Sequence, residues 1–140
     1  MIMCEMDSNS ILSNAMKDRT SGEMIQAYHA LLKKLQLLGL QLKKHVLDNK
    51  ISNHMKHHIK NKYKFQIELV PPICHRRNAA EVGIWKIKSH FLSILAGTAP
   101  SFPPSLWDRL LPQTEITLNL LRQSDATPSV SASTHLCGRF

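Results

Sequence analysis

Apolar and polar positions along this chain switch between two periods. Residues 1–6 are short and apolar-rich, Ser10 to Ala15 resume in the same way, and Asp7-Ser8-Asn9 between them has turn chemistry. A β-hairpin is expected there. Thr20-Ser21-Gly22-Glu23 pairs a hydroxyl cap with a Glu three residues on, the signature of a helix start. Met24, Tyr28, Leu31, Leu32, Leu35 and Leu38 follow at helical spacing, and Gly39 ends the run. Lys43 to Leu47 reads as a short strand, and Ser52 caps a second helix to about Lys62. Tyr63 to Val70 reads as a further strand, which Pro71-Pro72 stops.

Helical period returns from Asn78 to about Leu95, with Ile84, Ile87, Phe91, Leu92 and Leu95 on one face. Gly97 to Pro104 is a loop with three prolines, and Ser105 to Arg122 reads as a last helix with Pro112 as a kink or break. From Gln123 onward Ser, Thr, Ala and Pro dominate, so 123–140 is expected to be a loose tail behind one domain over 1–122. Strands alternating with helices in the middle of the chain indicate a three-layer α/β sheet.

A chain of 140 residues, 43% of them apolar, is long enough for a core of its own. The formal net charge is +8, and between Lys43 and Lys64 seven Lys stand against one Asp. That bias suits a polyanionic partner such as nucleic acid; the competing reading is a solvated Lys-rich surface. Cys4, Cys74 and Cys137 are odd in number and far apart. They suggest reduced thiols in an intracellular compartment rather than a disulfide framework. No apolar run approaches ~18 residues, so no membrane partner is expected.

Two carboxylates stand out. Asp48 ends a strand and Glu81 opens a helix, 33 positions apart. Ligands of α/β sheets gather at the carboxyl ends of strands, and clustered carboxylates are what a two-metal phosphodiester site requires. Each also has a plain structural reading: Asp48 as a turn residue, and Glu81 as the far half of a capping box with Asn78. Lys88, two helical turns after Glu81, either meets phosphate or covers apolar surface. Arg76 and Arg77 either meet phosphate or cap nearby carbonyls. His54, His57 and His58 at i, i+3, i+4 present either metal ligands or a solvated basic face. Trp85 and Trp107 read as core or half-buried packing.

His75-Arg76-Arg77-Asn78-Ala79-Ala80-Glu81, preceded by Leu69-Val70-Pro71-Pro72 and by Leu47-Asp48-Asn49, resembles the integrase core of LTR retrotransposon polyproteins. Met16-Lys17-Asp18-Arg19-Thr20, Phe102-Pro103-Pro104-Ser105-Leu106-Trp107-Asp108-Arg109 and Leu118-Asn119-Leu120-Leu121-Arg122 extend the likeness over roughly residues 1–136. The resemblance implies a partial ribonuclease-H-like three-layer fold, a mixed sheet with flanking helices, whose first strand is missing. It also implies DNA as partner, a homo-oligomer, and Mg²⁺ or Mn²⁺ as cofactor. Asp48 and Glu81 would match the second and third acids of a DDE triad and hold the metals; Lys88, Arg76 and Arg77 would hold phosphate.

The first acid has no counterpart, because Asp7 falls by register on a turn. Two carboxylates cannot arrange two hard cations as three can, so the likeness implies an integrase fragment without DNA cutting or strand transfer. Loss of the central strand of the sheet would also expose edges. Lys50 and Val82-Gly83 depart from the family pattern, and Gly83 inside a helix costs about 1 kcal/mol relative to Ala. The alternatives are a basic nucleic-acid-binding module and a relic reading frame, in the nucleus or cytoplasm.

Overall fold

The first elements of the chain are held by side chains that come from its far end. Strands β1 (Ile2–Glu5) and β2 (Ser10–Ser13) pair antiparallel, with Met3 opposite Leu12 and Cys4 opposite Ile11. The Glu5 carboxylate accepts the amides of Asp7 (3.1 Å) and Ser8 (2.7 Å), and Asn9 takes a φ of 60°, which Asn tolerates. Helix α4 (Leu111–Leu121) then supplies partners for β2. The Ile11 amide donates to Asn119 Oδ1 and Asn119 Nδ2 donates to the Ile11 carbonyl, both at 2.9 Å, while the Ser13 amide donates to Glu115 at 2.7 Å. Glu115 and Asn119 are one turn apart and share a helix face.

The computed structural model describes residues 1–48, 51–63, 65–70 and 79–138. The chain is mixed α/β and divides into two compact units, Met1–Ala15 with Ala80–Phe140, and Met16–Ala79. In the first unit the hairpin and α4 are joined by α3 (Ala79–Ala96), a 3-10 helix (Pro104–Leu110) and α5 (Ala132–Leu136). Ile11, Ile87 and Leu118 form its apolar centre, with Ile2 and Cys4 against them. Gly83 of α3 is buried there, and a Cβ on it would lie 2.5 Å from Cys4 Sγ. Gly83 is thus what allows α3 to pass close to β1, a reason for glycine that periodicity does not reveal.

Three expectations for this unit are corrected. Residues 123–138 are not a loose tail: Ser124 is buried, its hydroxyl donates to the Asp7 carbonyl (3.1 Å), and the Ala126 amide donates to the same oxygen (2.9 Å). Ala132 and Leu136 are buried too, and Ser10 Oγ donates to the Ala132 carbonyl at 3.0 Å. The low periodicity of this segment reflects docking through polar groups. Second, the stretch from Ser105 is not one helix but two, a 3-10 helix to Leu110 and α4 from Leu111; the break expected at Pro112 falls just before it, and Pro112 stands in the first turn of α4, where its missing N–H costs nothing. Third, Ile84, Leu92, Trp85 (68% exposed) and Trp107 are exposed; along α3 only Gly83 and Ile87 are buried.

The second unit begins with α1 (Ser21–Leu37), capped where expected: Thr20 Oγ1 accepts the Glu23 amide, and Gly39 at φ 80° follows its end. Strand β3 (Lys44–Leu47), helix α2 (Asn53–Lys62) and strand β4 (Gln66–Leu69) follow. Ser52 Oγ accepts the Met55 amide at 3.2 Å. β3 and β4 pair parallel, Lys44 opposite Gln66 and Leu47 opposite Leu69, so α2 is the crossover of a βαβ unit. The buried stripe of α1, Ala27, Tyr28, Leu31, Leu32 and Leu35, shares the unit's core with Met55 and Ile59 of α2. Among the described residues the strands form two two-stranded sheets, one within each unit. No helix among the described residues is long and apolar enough to cross a membrane.

Replacing a helix-interior glycine by alanine ordinarily stabilises by about 1 kcal/mol. Gly83→Ala is expected to destabilise by about 1–2 kcal/mol instead, because Cys4 must leave its rotamer. In a Cys4→Ala background the same change should regain stability. Urea unfolding of the four proteins checks this; a gain from Gly83→Ala in both backgrounds refutes the close-approach account.

Candidate functional site

The residues singled out from sequence fall in both units. Asp48 follows the last residue of β3, exposed at the carboxyl end of the strand, and its carbonyl accepts the Ile51 amide at 3.2 Å. Glu81 lies exposed in the first turn of α3, and Lys88 lies exposed on the same helix. Asp48 thus belongs to the second unit, and Glu81 and Lys88 to the first. Arg76 and Arg77, like Asn49, Lys50, Cys74, His75 and Asn78, lie outside the described residues. Among the described residues no three His, Cys, Asp or Glu side chains converge as a metal site. Neither unit by itself holds, among its described residues, the carboxylate set that Mg²⁺ or Mn²⁺ requires.

What the second unit does assemble is a run of aromatic and imidazole rings. Tyr28 Oη is hydrogen-bonded to His45 Nδ1 at 2.6 Å, and the two rings stack with centroids 5.3 Å apart. His29, the next residue on α1, is hydrogen-bonded through Nδ1 to Tyr63 Oη and through Nε2 to His58 Nε2 at 2.9 Å. Tyr63 stacks on Phe65 with centroids 5.2 Å apart. The histidines of α2 are therefore not one solvated face. His54 and His57 are exposed, while His58 turns toward α1. Sequence reasoning missed His29, His45 and Tyr63. The available signal was that His29 and His58 each adjoin a buried stripe residue, Tyr28 and Ile59.

Burial sets the protonation of this cluster. It pushes the Tyr28 hydroxyl up, with the neighbouring Tyr63 adding to the shift, and it pushes Tyr63 up as well. Burial lowers His45 to about 4. His29 is lowered by desolvation first, then by Lys62 and His58. A neutral His45 suits its bond with Tyr28. Beside the cluster an open hollow of about 200 Å³ is lined by Leu32, Leu40, Leu42, Tyr63 and Phe65 among others. Small-molecule sites usually measure about 300–1,000 Å³, so this hollow is too small to define one.

Charge is divided sharply between the units. The second carries 13 Lys and Arg against four Asp and Glu, the first five against six. Lys33, Lys43, Lys60 and Lys62 are exposed on the basic unit, and Lys44 is half committed to an ion pair with Glu68. No protein-family model matches this chain, and no curated protein sequence matches it.

The lowered His45 makes a pH prediction. Its ordinary value is 6.5, so between about 4 and 6.5 the unfolded chain binds the proton more tightly. This stability is fully present above 6.5 and is lost as pH falls toward 4. By pH 5 the loss is on the order of 2 kcal/mol. His45→Phe keeps the stack on Tyr28 and removes the titration. Unfolding free energies at pH 7 and pH 5 should converge between wild type and variant; a constant gap rules the account out.

Proposed function

We propose that the chain is a remnant of a retrotransposon integrase core that binds nucleic acid through its basic unit and has no strand-transfer activity. The observation that carries the binding half is charge segregation: the whole positive excess falls in Met16–Ala79. A polyanion bound there releases condensed counterions, a sequence-independent driving force. The integrase half is supported by element order. Two antiparallel strands, a helix, a strand, a crossover helix, a parallel strand and a helix beginning near an acid follow the ribonuclease-H-like layout that the sequence resembles. That Asp48 follows the carboxyl end of β3 supports reading it as the second acid of such a layout. Two separate two-stranded sheets are also what remains of a five-stranded mixed sheet without its central strand. The reading of no strand transfer rests on register: Asp7 falls in the turn between β1 and β2 and not on a strand that would present a third acid.

Electrophoretic shift or fluorescence anisotropy with duplex DNA at graded salt tests both halves. The logarithm of the association constant should fall with the logarithm of salt at a slope on the order of −3 to −5, about −0.9 for each phosphate engaged. Lys60→Glu with Lys62→Glu should weaken binding at least about tenfold, each contact being electrostatic and sequence-independent. Asp48→Asn and Glu81→Gln should leave affinity unchanged, and no cleavage of labelled DNA should occur with Mg²⁺ or Mn²⁺. Salt-insensitive binding removes the nucleic-acid reading; metal-dependent cleavage abolished by Asp48→Asn removes the inactive one.

A further inference from the structure

We propose that His29 and His58 form a two-histidine site for a tetragonal divalent ion of the Cu²⁺ class, clipping α1 to α2. The site does not involve Asp48 or Glu81 and is independent of the integrase reading. The two Nε2 atoms stand 2.9 Å apart. With metal–nitrogen bonds of about 2.0 Å, that separation subtends close to 90° at the ion. An angle of that size joins neighbouring positions of a square-planar or octahedral ion, the geometry in which Cu²⁺ and Ni²⁺ take imidazole. A tetrahedral Zn²⁺ would need the nitrogens to spread to about 3.3 Å. Preference for Cu²⁺ follows from the general order of affinities.

The second observation is the partner of the other ring nitrogen. His29 Nδ1 is hydrogen-bonded to Tyr63 Oη. Metal-ligating histidines are typically held this way, one nitrogen on a fixed partner and the other presented to the ion. The contact holds the His29 ring with its Nε2 edge beside His58. In the metal-free protein one Nε2 carries a proton and the other a lone pair; on binding that proton moves to Nδ1 of the same ring, so both imidazoles stay neutral and both Nε2 lone pairs face the ion. His29 and His58 are only partly buried, so the ion can enter and water can fill its remaining positions. Lys62 Nζ, 3.5 Å from His29 Nε2, is the opposing charge. It sits on an exposed, flexible stem and must swing aside.

Cu²⁺ added to the whole chain, up to one equivalent, followed by electron paramagnetic resonance and competition titration, tests the site. Wild type should show the nitrogen coupling of two bound imidazoles. His29→Gln and His58→Gln should each reduce the signal to that of one imidazole and lower affinity at least about tenfold, and Tyr63→Phe should lower it about tenfold through ring orientation. Lys62→Met should raise affinity while leaving the two-imidazole signature, a gain that a folding defect cannot imitate. The rival is His54 with His58, one turn apart on α2 alone. A His54→Gln loss as large as that of His58→Gln, with His29→Gln silent, overturns the proposal. Absence of a two-imidazole signal at one equivalent overturns it as well.

Discussion

The backbone of a two-stranded sheet leaves half its hydrogen-bonding groups without a strand to pair with, and this constraint organises the first unit. A hairpin of four-residue strands is marginal by itself in water. Here the outer side of β2 is closed by side chains: the Asn119 amide donates to and accepts from the same residue, Ile11, as a neighbouring strand would, and Glu115 takes the Ser13 amide. Asn119 and Ile11 are both buried, so these bonds form where water cannot compete, and loss of one partner would leave a desolvated group. Fixing α4 on β2 brings Leu118 onto Ile11 and Ile87. It also delivers the residues after α4 to the hairpin turn, where Arg122 Nε donates to the Asn9 carbonyl and Ser124 to that of Asp7.

The second unit solves the same problem differently. Its parallel strands are tied by a helical crossover, and its stability comes from the α1 stripe against Met55 and Ile59. At the margin of that core, rings with polar edges replace aliphatic side chains. Polar ring atoms there meet one another: Tyr28 with His45, and His29 with Tyr63 and His58. Satisfying buried polar atoms is a requirement of folding. Satisfying them with an imidazole pair has the further consequence that two ring nitrogens, one donating and one accepting, stand 2.9 Å apart.

Local signals in the sequence located the elements well. Thr20 and Ser52 cap the helices they were expected to cap, Gly39 follows α1 in the left-handed region, and the Asp7-Ser8-Asn9 turn joins the predicted strands. These features depend on neighbours within a few residues. What could not be read was set by distant partners. Asn119 is an ordinary helix residue until Ile11 meets it, 108 positions away. His29 and His58 are 29 positions apart and carry no spacing motif. Segment 123–138 looked unstructured because its anchors are hydroxyls and backbone groups, which leave no apolar period. Of the candidate site, the strand-end position of Asp48 and the helix-start position of Glu81 were legible; their assignment to separate units was not.

The failed expectation for α3 has a geometric cause. Its apolar face was assigned from periodicity, which reports which residues could be buried together but not how much surface exists to bury them. An 18-residue helix is about 27 Å long, whereas a four-residue strand spans only about 13 Å. Two strands side by side add a width of about 5 Å. Such a hairpin covers little more than the stretch from Gly83 to Ile87, and those are the two α3 residues that are buried. Val82, Ile84, Trp85 and Leu92 remain exposed although the helix is strongly apolar. An apolar stripe longer and broader than the sheet beneath it is the imprint of a helix suited to a wider sheet. On the proposed reading that wider sheet had one more strand at its centre, so the strand that would bring a first metal-binding acid is also the one that would cover α3.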